Sequence, residues 1–593
     1  MFNKLSCFWR VLPKEYKRKI LSLQITVVAI SIFELVTIAM IAGFMGIVSD
    51  KDKLINFRDM IDGFINFRYE NESLLLLLSV VVLFLLSTSS MFSLLMTKRI
   101  NTISVGVGHK ITLGLFRYYQ RQDWIFFVRN NTSRLQNNIL TESTRLVMNV
   151  IIPVVNIISR LAFIILILLS IIYYDAVTSL LIMFFFVACY TTVSRVLRGK
   201  LVRNGKVITE SNKNKYKVSQ ETFINAKTSI LLGKESYFYD EFEKSNFLQS
   251  MAQASTKTIA LGPKFMMEWL AYTTMITIII VNIIIFGDSF ATVLPLLTVY
   301  GLAAFKLLPS MQQIYNNLAM IKGNISALDV LFHDLKASFN LTKDDVQVEI
   351  TPFDRSLEVV NGSFSYNDSK ILALQDINIR IRKFEKIGFV GHSGSGKSTL
   401  VDILCGLLKL DSGTFNVDDK ELNDVASWYP NISYVPQTVS FLDATLAENI
   451  AFGVSYDDIK WEQLSMAIEL SSLSDLVERL PDGVNSKLGE NGVQISGGQR
   501  QRIGIARALY TKSDILIFDE ATSALDGITE NQIMDSIENL SGKKTIIMIA
   551  HRLKTIRNCD RIYLMEKGKV VDEGSYEELL MRNSNFREMD KFS

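Results

Sequence analysis

Cysteine and histidine are scarce in this chain of 593 residues, which contains four of each. The cysteines (Cys7, Cys189, Cys405 and Cys559) are widely spaced, and no two of them form a C-x-x-C motif. This spacing argues against a cysteine metal cluster, and the scattered histidines argue against a His-rich metal site. We therefore expect free thiols, either in a reducing compartment or on lipid-facing helices.

A strong excess of charge of either sign is also missing. The net charge of +3 at pH 7 says little about partners, because the distribution of charge matters more than its sum. Apolar residues, by contrast, make up 49% of the chain, and the mean hydropathy of +0.23 is high for a soluble enzyme. The length exceeds what a single core supports, so two or more domains are expected.

The apolar residues are concentrated in long runs before residue 312. The first run is too long for the core of a signal peptide and lacks a small-residue cleavage site. The long connections 98–147 and 197–262 are polar and basic, which favours a cytoplasmic position for them and for both termini. Because a membrane-crossing helix needs about 20 apolar residues, six spans are predicted, at about 20–48, 73–97, 148–172, 176–196, 263–286 and 289–311.

Several ionisable residues fall within the predicted spans. A charge at mid-bilayer costs on the order of 3 kcal/mol, so such residues usually face a cavity or a partner. We expect Glu34 and Arg160 to face a cavity, whereas Lys264 and Lys306 either do the same or extend to the cytoplasmic head groups. The outer loop 50–72 is either a short amphipathic helix at the membrane interface or a solvated loop.

The apolar runs end before the last two fifths of the chain. We predict a membrane domain at 1–335, a polar linker at 336–356 and a second domain at 357–593. The second domain begins with β-rich sequence and continues with alternating strands and helices, as in a doubly wound α/β domain. Its last residues, Met581 to Ser593, are charged and indicate a tail.

A glycine-rich run in the second domain matches G-x-x-x-x-G-K-[ST] at every fixed position. It follows a strand-like run and opens a helix-like run, which is the context that this motif requires. The backbone N–H groups of such a loop cradle phosphates, so the chain is predicted to bind a nucleoside triphosphate. Lys397 would reach the β- and γ-phosphates, and the Ser398 hydroxyl would bind Mg²⁺. The predicted nucleotide-binding residues here are Gly391, His392, Ser393, Gly394, Ser395, Gly396, Lys397, Ser398 and Thr399.

Two acids end a second apolar run, at 515–520, about 120 residues after the glycine-rich loop. A buried parallel strand that releases carboxylates at its C-terminal end has this pattern. We expect Asp519 to hold Mg²⁺ directly or through water. Glu520 is then placed to polarise the attacking water as a general base.

A third motif lies between these two, where Ile495 is followed by Ser496, Gly497, Gly498 and Gln499 at the start of a helix. The helix N-terminus and the glycine amides suit a γ-phosphate. The run resembles the L-S-G-G-Q signature of the ABC transporter family, with isoleucine in place of leucine. In that family the signature meets the phosphate loop of the other subunit, so the resemblance implies that ATP is bound between two copies of the chain.

Other residues match the pattern of the family one by one. The resemblance implies that Tyr366 stacks on adenine, that Gln437 senses Mg²⁺ and that Asp526 belongs to a nucleotide-binding loop. It also implies that His551 contacts the γ-phosphate and orients Glu520. Catalysis is thus assigned to Glu520, His551, Gln437 and Lys397, and metal binding to Ser398, Gln437 and Asp519.

Six spans followed by one nucleotide-binding domain resemble a half-transporter of the exporter type. The fold expected is a membrane α-helical bundle fused to an α/β P-loop domain with a β-rich subdomain. The resemblance implies ATP hydrolysis coupled to transport, with ATP and Mg²⁺ as cofactors, in a multi-pass protein of the bacterial inner membrane with a cytoplasmic ATPase domain. The expected partners are a second copy of the chain, membrane lipid and a saccharide-bearing lipid, but no nucleic acid.

The cargo depends on the membrane half, where the stretches 33–50 and 302–310 resemble bacterial lipid-linked oligosaccharide flippases of the N-glycosylation pathway. That resemblance implies an undecaprenyl-pyrophosphate-linked oligosaccharide, whose pyrophosphate suits a basic residue in the pathway. The alternatives are a lipid A-type glycolipid flippase and a hydrophobic drug or peptide exporter. An ATP-gated channel or a regulatory ATPase is an alternative of another class.

Overall fold

The computed structural model separates into two compact units, which consist of Met1–Gln122 with Phe126–Lys343 and of Asp123–Ile125 with Asp344–Ser593. Each unit is described by itself below. The structure describes residues 2–48, 54–57, 71–174, 176–280, 284, 290–340, 350–366, 372–489, 495–521, 527–550 and 552–591.

The first unit is helical across nearly all of its described residues. Its four longest helices contain 46 to 51 residues, and at 1.5 Å per residue a helix of this size is about 75 Å long, more than twice the thickness of a bilayer core. Each therefore combines a predicted span with a polar extension. The helices are α1 (Phe2–Val11), α2 (Lys14–Val48), α3 (Asn71–Gln120), α4 (Trp124–Arg129), α5 (Thr132–Asn137), α6 (Ser143–Leu146), α7 (Ile152–Tyr174), α8 (Ala176–Ile224), α9 (Ala226–Leu232), α10 (Glu235–Ile280) and α11 (Phe290–Asn340).

Three segments of the described residues are long and apolar enough to cross a membrane, namely Lys14–Val48, Glu72–Gln120 and Thr132–Leu169. They contain or overlap the first three predicted spans. The fourth span lies within α8, and the fifth and sixth touch residues 281–283 and 285–289, which lie outside the described residues. The total of six spans stays a prediction.

Two predicted connections overlap regular structure. Helix α11 continues through Asn340 and so takes up the first five residues of the predicted linker. It continues because Leu335 is buried in a core cluster against which Phe339 also packs. Of the outer loop 50–72, the structure describes residues 54–57, which are helical, and residues 71–72, which begin α3. The rest of the predicted interfacial helix lies outside the described residues.

Helices α5, α6 and α7 follow one another directly, joined by two π-helical turns, Asn138–Glu142 and Val147–Ile151. Between these turns lies Arg145, whose guanidinium is buried and contacts Glu142 at 3.1 Å. The same guanidinium donates to Asn324 Oδ1 at 2.7 Å and to the carbonyl oxygen of Gly205 at 3.2 Å. Since a buried charge is tolerated only when it is paired and hydrogen-bonded, Arg145 fixes α6, α8 and α11 against one another.

The second unit contains two sheets. The larger sheet has the strand order β10-β9-β3-β8-β7-β6, and all of its neighbours are parallel except β9 and β10. The smaller sheet, β2-β1-β4-β5, is antiparallel. The predicted α/β domain with a β-rich subdomain is confirmed. The strands are β1 (Ser356–Phe364), β2 (Leu374–Arg382), β3 (Lys386–Val390), β4 (Ser412–Val417), β5 (Lys420–Glu421), β6 (Ile432–Val435), β7 (Ile515–Asp519), β8 (Thr545–Ile549), β9 (Arg561–Glu566) and β10 (Lys569–Gly574).

The central strands β3 and β8 are buried at every position, and β7 at every position but its last. Both faces of this sheet are covered, as parallel sheets require. The phosphate loop follows β3 and the predicted catalytic acid follows β7, so both lie at the carboxyl edge, where ligands of open α/β sheets bind. The helices of this unit are α12 (Lys397–Leu404), α13 (Leu446–Ile450), α14 (Trp461–Leu470), α15 (Ser474–Arg479), α16 (Gly497–Tyr510), α17 (Gly527–Glu538), α18 (Tyr576–Arg582) and α19 (Ser584–Lys591).

The prediction of a charged tail from Met581 onward was wrong. Residues of this segment form the end of α18 and the whole of α19, and the Phe586 side chain is completely buried. Its ring packs edge-on against Tyr576 at a centroid distance of 5.5 Å. One apolar stripe on an otherwise charged helix is enough to hold it on the domain.

Candidate functional site

The phosphate loop adopts a backbone that glycine alone tolerates at two of its positions. Gly391 has a φ of 155°, and a Cβ there would lie 2.1 Å from the carbonyl oxygen of Met565. Gly396 has a φ of 101° and is the N-cap of α12. The glycines therefore allow both the close approach and the turn that directs backbone N–H groups of the loop toward a bound anion.

Lys397, at the start of α12, is buried within this loop. Its ammonium donates to the carbonyl oxygens of Gly391 at 2.8 Å and of His392 at 3.0 Å. Burial lowers the pKa of Lys397, and the negative charges of Glu520 and Asp519 oppose that shift. The ammonium and the two acids thus share one electrostatic environment, as the predicted roles require.

The two acids at the end of β7 contact one residue of the neighbouring strand β6 and one that follows it. The Tyr434 hydroxyl donates to Asp519 Oδ2 at 2.8 Å, and the Gln437 side-chain amide donates to Glu520 Oε2 at 2.7 Å. Strands β6 and β7 are parallel neighbours, so the residues that follow them meet at one edge. The structure thereby brings Gln437 and Glu520 together.

Glu520 has a φ of 49°, in the left-handed region that non-glycine residues rarely occupy. Its backbone N–H donates to the carbonyl oxygen of Ile549 at 3.1 Å, which anchors it to β8. Strained backbone of this kind concentrates at functional sites, where the surrounding structure holds it in place.

Two groups beside these acids, Asp402 and Tyr434, are affected by burial and by negative charge. Burial, followed by the charge of Asp519, raises the pKa of Asp402 to about 6. Burial also raises the pKa of Tyr434, and the hydrogen bond to Asp519 acts in the same direction. Such pKa shifts are typical of functional sites; here they follow first from burial and then from the nearby charge of Asp519.

Tyr366 lies beyond the end of β1, beside the phosphate-loop helix. Its ring packs edge-on against Phe364 at a centroid distance of 5.0 Å, and its hydroxyl is 3.3 Å from the Thr399 hydroxyl. The side chain is half-buried. This placement keeps the ring close to the phosphate loop, as stacking on a nucleotide base requires.

The third motif begins helix α16 with a complete capping box. The Ser496 hydroxyl accepts from the backbone N–H of Gln499 at 3.2 Å, and the Gln499 side chain accepts from the Ser496 N–H at 2.9 Å. Gly497 is exposed and Gly498 half-buried. Within the described part of the chain, no hydrogen bond joins residues 496–499 to the phosphate loop.

Two predicted site residues, Asp526 and His551, lie outside the described residues. Among the residues that are described, no group of three His, Cys, Asp or Glu side chains could hold a metal ion. The hydroxyl of Ser398 and the carboxylate of Asp519 nevertheless fit Mg²⁺, which is usually bound by one or two protein oxygens together with substrate phosphates.

Sequence reasoning missed Tyr434, Asp402 and Gln501; the Gln501 amide donates to the backbone carbonyl of Glu520 at 3.5 Å. It also missed a cavity of about 720 Å³ beside the phosphate loop, which Asn585 and Glu588 of helix α19 help to line. The position of Tyr434 three residues before Gln437, in the same strand-like run, was the one signal that could have identified it.

Glu34 and Arg160, which were both predicted to face a cavity, line the same cavity of the first unit. Glu34 and Arg160 border a cavity of about 110 Å³ between α2, α3, α7 and α11, and the Ser93 hydroxyl donates to Glu34. No carboxylate of the described residues lies within ion-pairing distance of Arg160. Lys264 instead pairs with Glu268 at 3.9 Å on the exposed surface of α10.

Two family descriptions match the chain. Residues 374–523 match the family described as ABC transporter, and residues 19–261 match the one described as ABC transporter transmembrane region. In fold, the chain is similar to a bacterial Atm1-family ABC exporter solved with ATP bound, with a TM-score of 0.77 over 97% of each chain at 19% identity.

Curated relatives include proteins named ATP-dependent lipid A-core flippase. The one from Desulfotalea psychrophila is 40% identical over 240 residues, which are 40% of this chain and 41% of that protein. The one from Salmonella paratyphi A is 28% identical over 567 residues, which are 93% of this chain and 94% of that protein. In the two relatives that match first, the chain spans less than half of the relative's length, namely 41% and 44%.

Proposed function

The chain belongs to the ABC transporter family of ATP-hydrolysing exporters, and from that premise we propose that it moves an anionic, saccharide-bearing lipid across a membrane. A glycolipid of the lipid A type is the cargo that the relatives favour, since several of them carry the name lipid A-core flippase. The observation that carries the proposal is the position of Arg160 in a cavity of the helical unit.

The ATPase half would act through residues whose geometry is described above. Glu520, held by Gln437 at 2.7 Å, polarises the water that attacks the γ-phosphate. Lys397 is placed to neutralise phosphate charge once its ammonium turns from the loop carbonyls to the nucleotide. When Mg²⁺ is bound by Ser398 and Asp519, it neutralises charge on the phosphate oxygens.

A second copy of the chain is part of this proposal. Ser496, Gly497 and Gly498 offer backbone N–H groups at the start of α16, where an anion is stabilised. No described hydrogen bond brings them to the phosphate loop of the same copy. ATP bound between the loop of one copy and the α16 N-terminus of another would complete both sites, and binding energy that differs between open and closed states would then drive the transport cycle.

The cargo side rests on charge placed inside the membrane-spanning bundle. An arginine there is costly and is retained where it meets a partner or a ligand. Arg160 lines its cavity without a carboxylate partner among the described residues, and a guanidinium is well suited to phosphate oxygens. An undecaprenyl-pyrophosphate-linked oligosaccharide, predicted from short stretches of the membrane half, carries the same anionic chemistry and is the second candidate.

The proposed location is the bacterial inner membrane, with the ATPase domain and both termini in the cytoplasm. The long, basic segments 98–147 and 197–262 support this orientation, because positive charge is enriched in cytoplasmic connections.

The experiment that tests the function is a flipping measurement in liposomes. The full chain would be reconstituted with fluorescent lipid A or with a fluorescent undecaprenyl-pyrophosphate oligosaccharide, and ATP-dependent movement compared with that of Glu520→Gln. Movement of lipid A by the wild type alone is the expected result. Movement of only the second lipid would identify the undecaprenyl-pyrophosphate oligosaccharide as the cargo instead. If neither lipid moved while ATPase activity was intact, the proposal of a glycolipid cargo would be refuted. Lipid movement that requires ATP but not its hydrolysis would instead indicate a channel.

A further inference from the structure

The helical unit contains a second polar cavity, of about 410 Å³, which has a different chemical lining from the one beside Arg160. The π-helical turns on either side of α6, together with α8, α10 and α11, provide its walls. Its volume lies within the range of about 300–1,000 Å³ that is typical of small-molecule sites. No aspartate or glutamate is among the described residues that line it, whereas amide side chains are abundant: Asn149, Asn212, Gln249, Gln253 and Asn324.

Several of these polar groups are available to a ligand. The side chains of Asn149, Gln253 and Lys257 make no hydrogen bond or ion pair with described residues. Gln253 and Lys257 lie one helical turn apart on α10 and therefore share a face. Gln249 accepts from Lys215 at 2.7 Å through its oxygen, which leaves its amide N–H groups to donate.

The wall that carries Asn149 is unusual in its backbone. Asn149 lies in the π-helical turn Val147–Ile151, and a second π-helical turn, Asn138–Glu142, lies one short helix earlier. Such turns are rare and occur frequently at functional sites. The buried Arg145 between them is fully hydrogen-bonded and so holds this wall in a fixed position.

A cavity of this composition favours one class of ligand. Amide side chains both donate and accept hydrogen bonds, as adjacent hydroxyl groups of a sugar require. The ammonium of Lys257 and the absence of carboxylates among the described lining residues favour a ligand that is neutral or negatively charged. A cation would be repelled by the Lys257 ammonium. A purely apolar molecule would leave the amide groups unpaired, which is costly.

The position of the cavity relates it to the cavity beside Arg160. Asn149 and Arg160 are separated by eleven residues of one continuous helical segment, which corresponds to roughly 16 Å along the axis. Asn149 lies toward the predicted cytoplasmic connection 98–147. One lipid could therefore place its anionic group near Arg160 and a saccharide extending from that group near Asn149.

We propose that this amide-lined cavity binds the saccharide head group of the transported lipid. The inference rests on the proposed function and adds to it the site that distinguishes a lipid with an extended saccharide from the same lipid without one.

The test measures the lipid concentration that gives half-maximal stimulation of ATPase activity, with the full chain in lipid nanodiscs. The first pair of probes is lipid A with and without its core saccharide, and the second is undecaprenyl pyrophosphate with and without an oligosaccharide. The variants are Asn149→Leu and Gln253→Leu, which replace hydrogen-bonding amides with an apolar side chain. Lys257→Gln serves as a further variant at an exposed position, should the others fail to fold. The matched control is Gln136→Leu, an exposed amide outside the cavity.

For the wild type we expect the saccharide-bearing member of one pair to act at a concentration about tenfold lower than its partner, the effect of one or two good hydrogen bonds. Asn149→Leu and Gln253→Leu should remove that difference by weakening the response to the saccharide-bearing lipid only, and Gln136→Leu should retain it. Equal responses to both members of a pair, or variants that weaken both equally, would overturn the inference while leaving the proposed function intact. A wild type that responds to none of the four lipids would refute the proposed function and this inference with it.

Discussion

The side-chain amide of Gln437 holds Glu520 through a hydrogen bond of 2.7 Å, and Glu520 itself lies in the left-handed region of backbone conformation. The two residues follow neighbouring parallel strands, β6 and β7, so the contact depends on the order of strands in the sheet. Gln437, which is expected to sense Mg²⁺, thus also orients the carboxylate of Glu520, the proposed general base.

Removing the amide should therefore impair catalysis more than nucleotide binding. We expect Gln437→Leu to lower ATP turnover about tenfold or more, since misplacing a catalytic group is costly, while the affinity for ATP stays near that of the wild type. Turnover and the binding of a fluorescent ATP analogue check this. Thr438→Val, at the exposed neighbouring position, is the control; a parallel loss of affinity in Gln437→Leu would argue against a positioning role.

The backbone conformation of Glu520 gives a stability prediction. Both Glu520→Gly and Glu520→Ala should abolish turnover, because each removes the carboxylate. Glycine tolerates a φ of 49° whereas alanine does not, so we expect the glycine variant to be more stable than the alanine variant by about 1 kcal/mol. Thermal unfolding of the two variants in detergent measures the difference. A more stable alanine variant would show that the positive φ is not retained.

The raised pKa of Asp402, about 6 against an ordinary value of 3.8, predicts a pH-dependent stability. Because the folded state binds this proton more tightly than the unfolded state, the contribution of Asp402 to stability is greatest below about pH 4 and is lost as the pH rises through 6. Asp402→Asn should therefore raise the unfolding temperature more at pH 7.5 than at pH 4.5, in buffer containing a chelator.

The control for this measurement is Asp535→Asn, which changes an exposed carboxyl on α17. Its effect should be small at both pH values. An Asp402→Asn effect that is equal at pH 4.5 and pH 7.5 would mean that this carboxyl titrates normally in the folded protein.

Helix α19 should contribute directly to the stability of the nucleotide-binding domain. Phe586 is completely buried, and truncation of a buried phenylalanine typically costs about 3–5 kcal/mol. We expect Phe586→Ala to lower the unfolding temperature of the ATPase domain clearly, whereas Arg587→Ala, at the exposed next position, should not. If Phe586→Ala and Arg587→Ala had equal effects, helix α19 would not be part of the folded core.

The phosphate loop and the acids after β7 could be predicted because each is a short motif in a recognisable strand context. Tyr434 and Asp402 could not, since they reach Asp519 only through the order of strands and the packing of α12, which hydropathy does not reveal. The apolar stripe that contains Phe586 could not be recognised because most of the residues around it are charged or polar.

In the helical unit, sequence reasoning found Glu34 and Arg160 because a charge within an apolar run is conspicuous. It did not find the amide-lined cavity, because asparagine and glutamine in polar segments look like ordinary solvated residues. Four separated parts of the chain supply that lining, and the helix packing that joins them, centred on Arg145, is not visible in the sequence.

Arg160 gives the most direct prediction for the membrane half. Replacing it with glutamine removes the positive charge but retains a polar side chain of similar length in the cavity that Glu34 also lines. If the guanidinium binds an anionic group of the cargo, Arg160→Gln should raise the half-maximal concentration of lipid A about tenfold or more, as expected for the loss of a charge-assisted contact. The same variant should respond normally to a neutral lipid that stimulates the wild type. Lys264→Gln is the matched control, since Lys264 pairs with Glu268 on the surface of α10. Equal losses in the two variants would show that general membrane charge, and not the cavity, attracts the lipid.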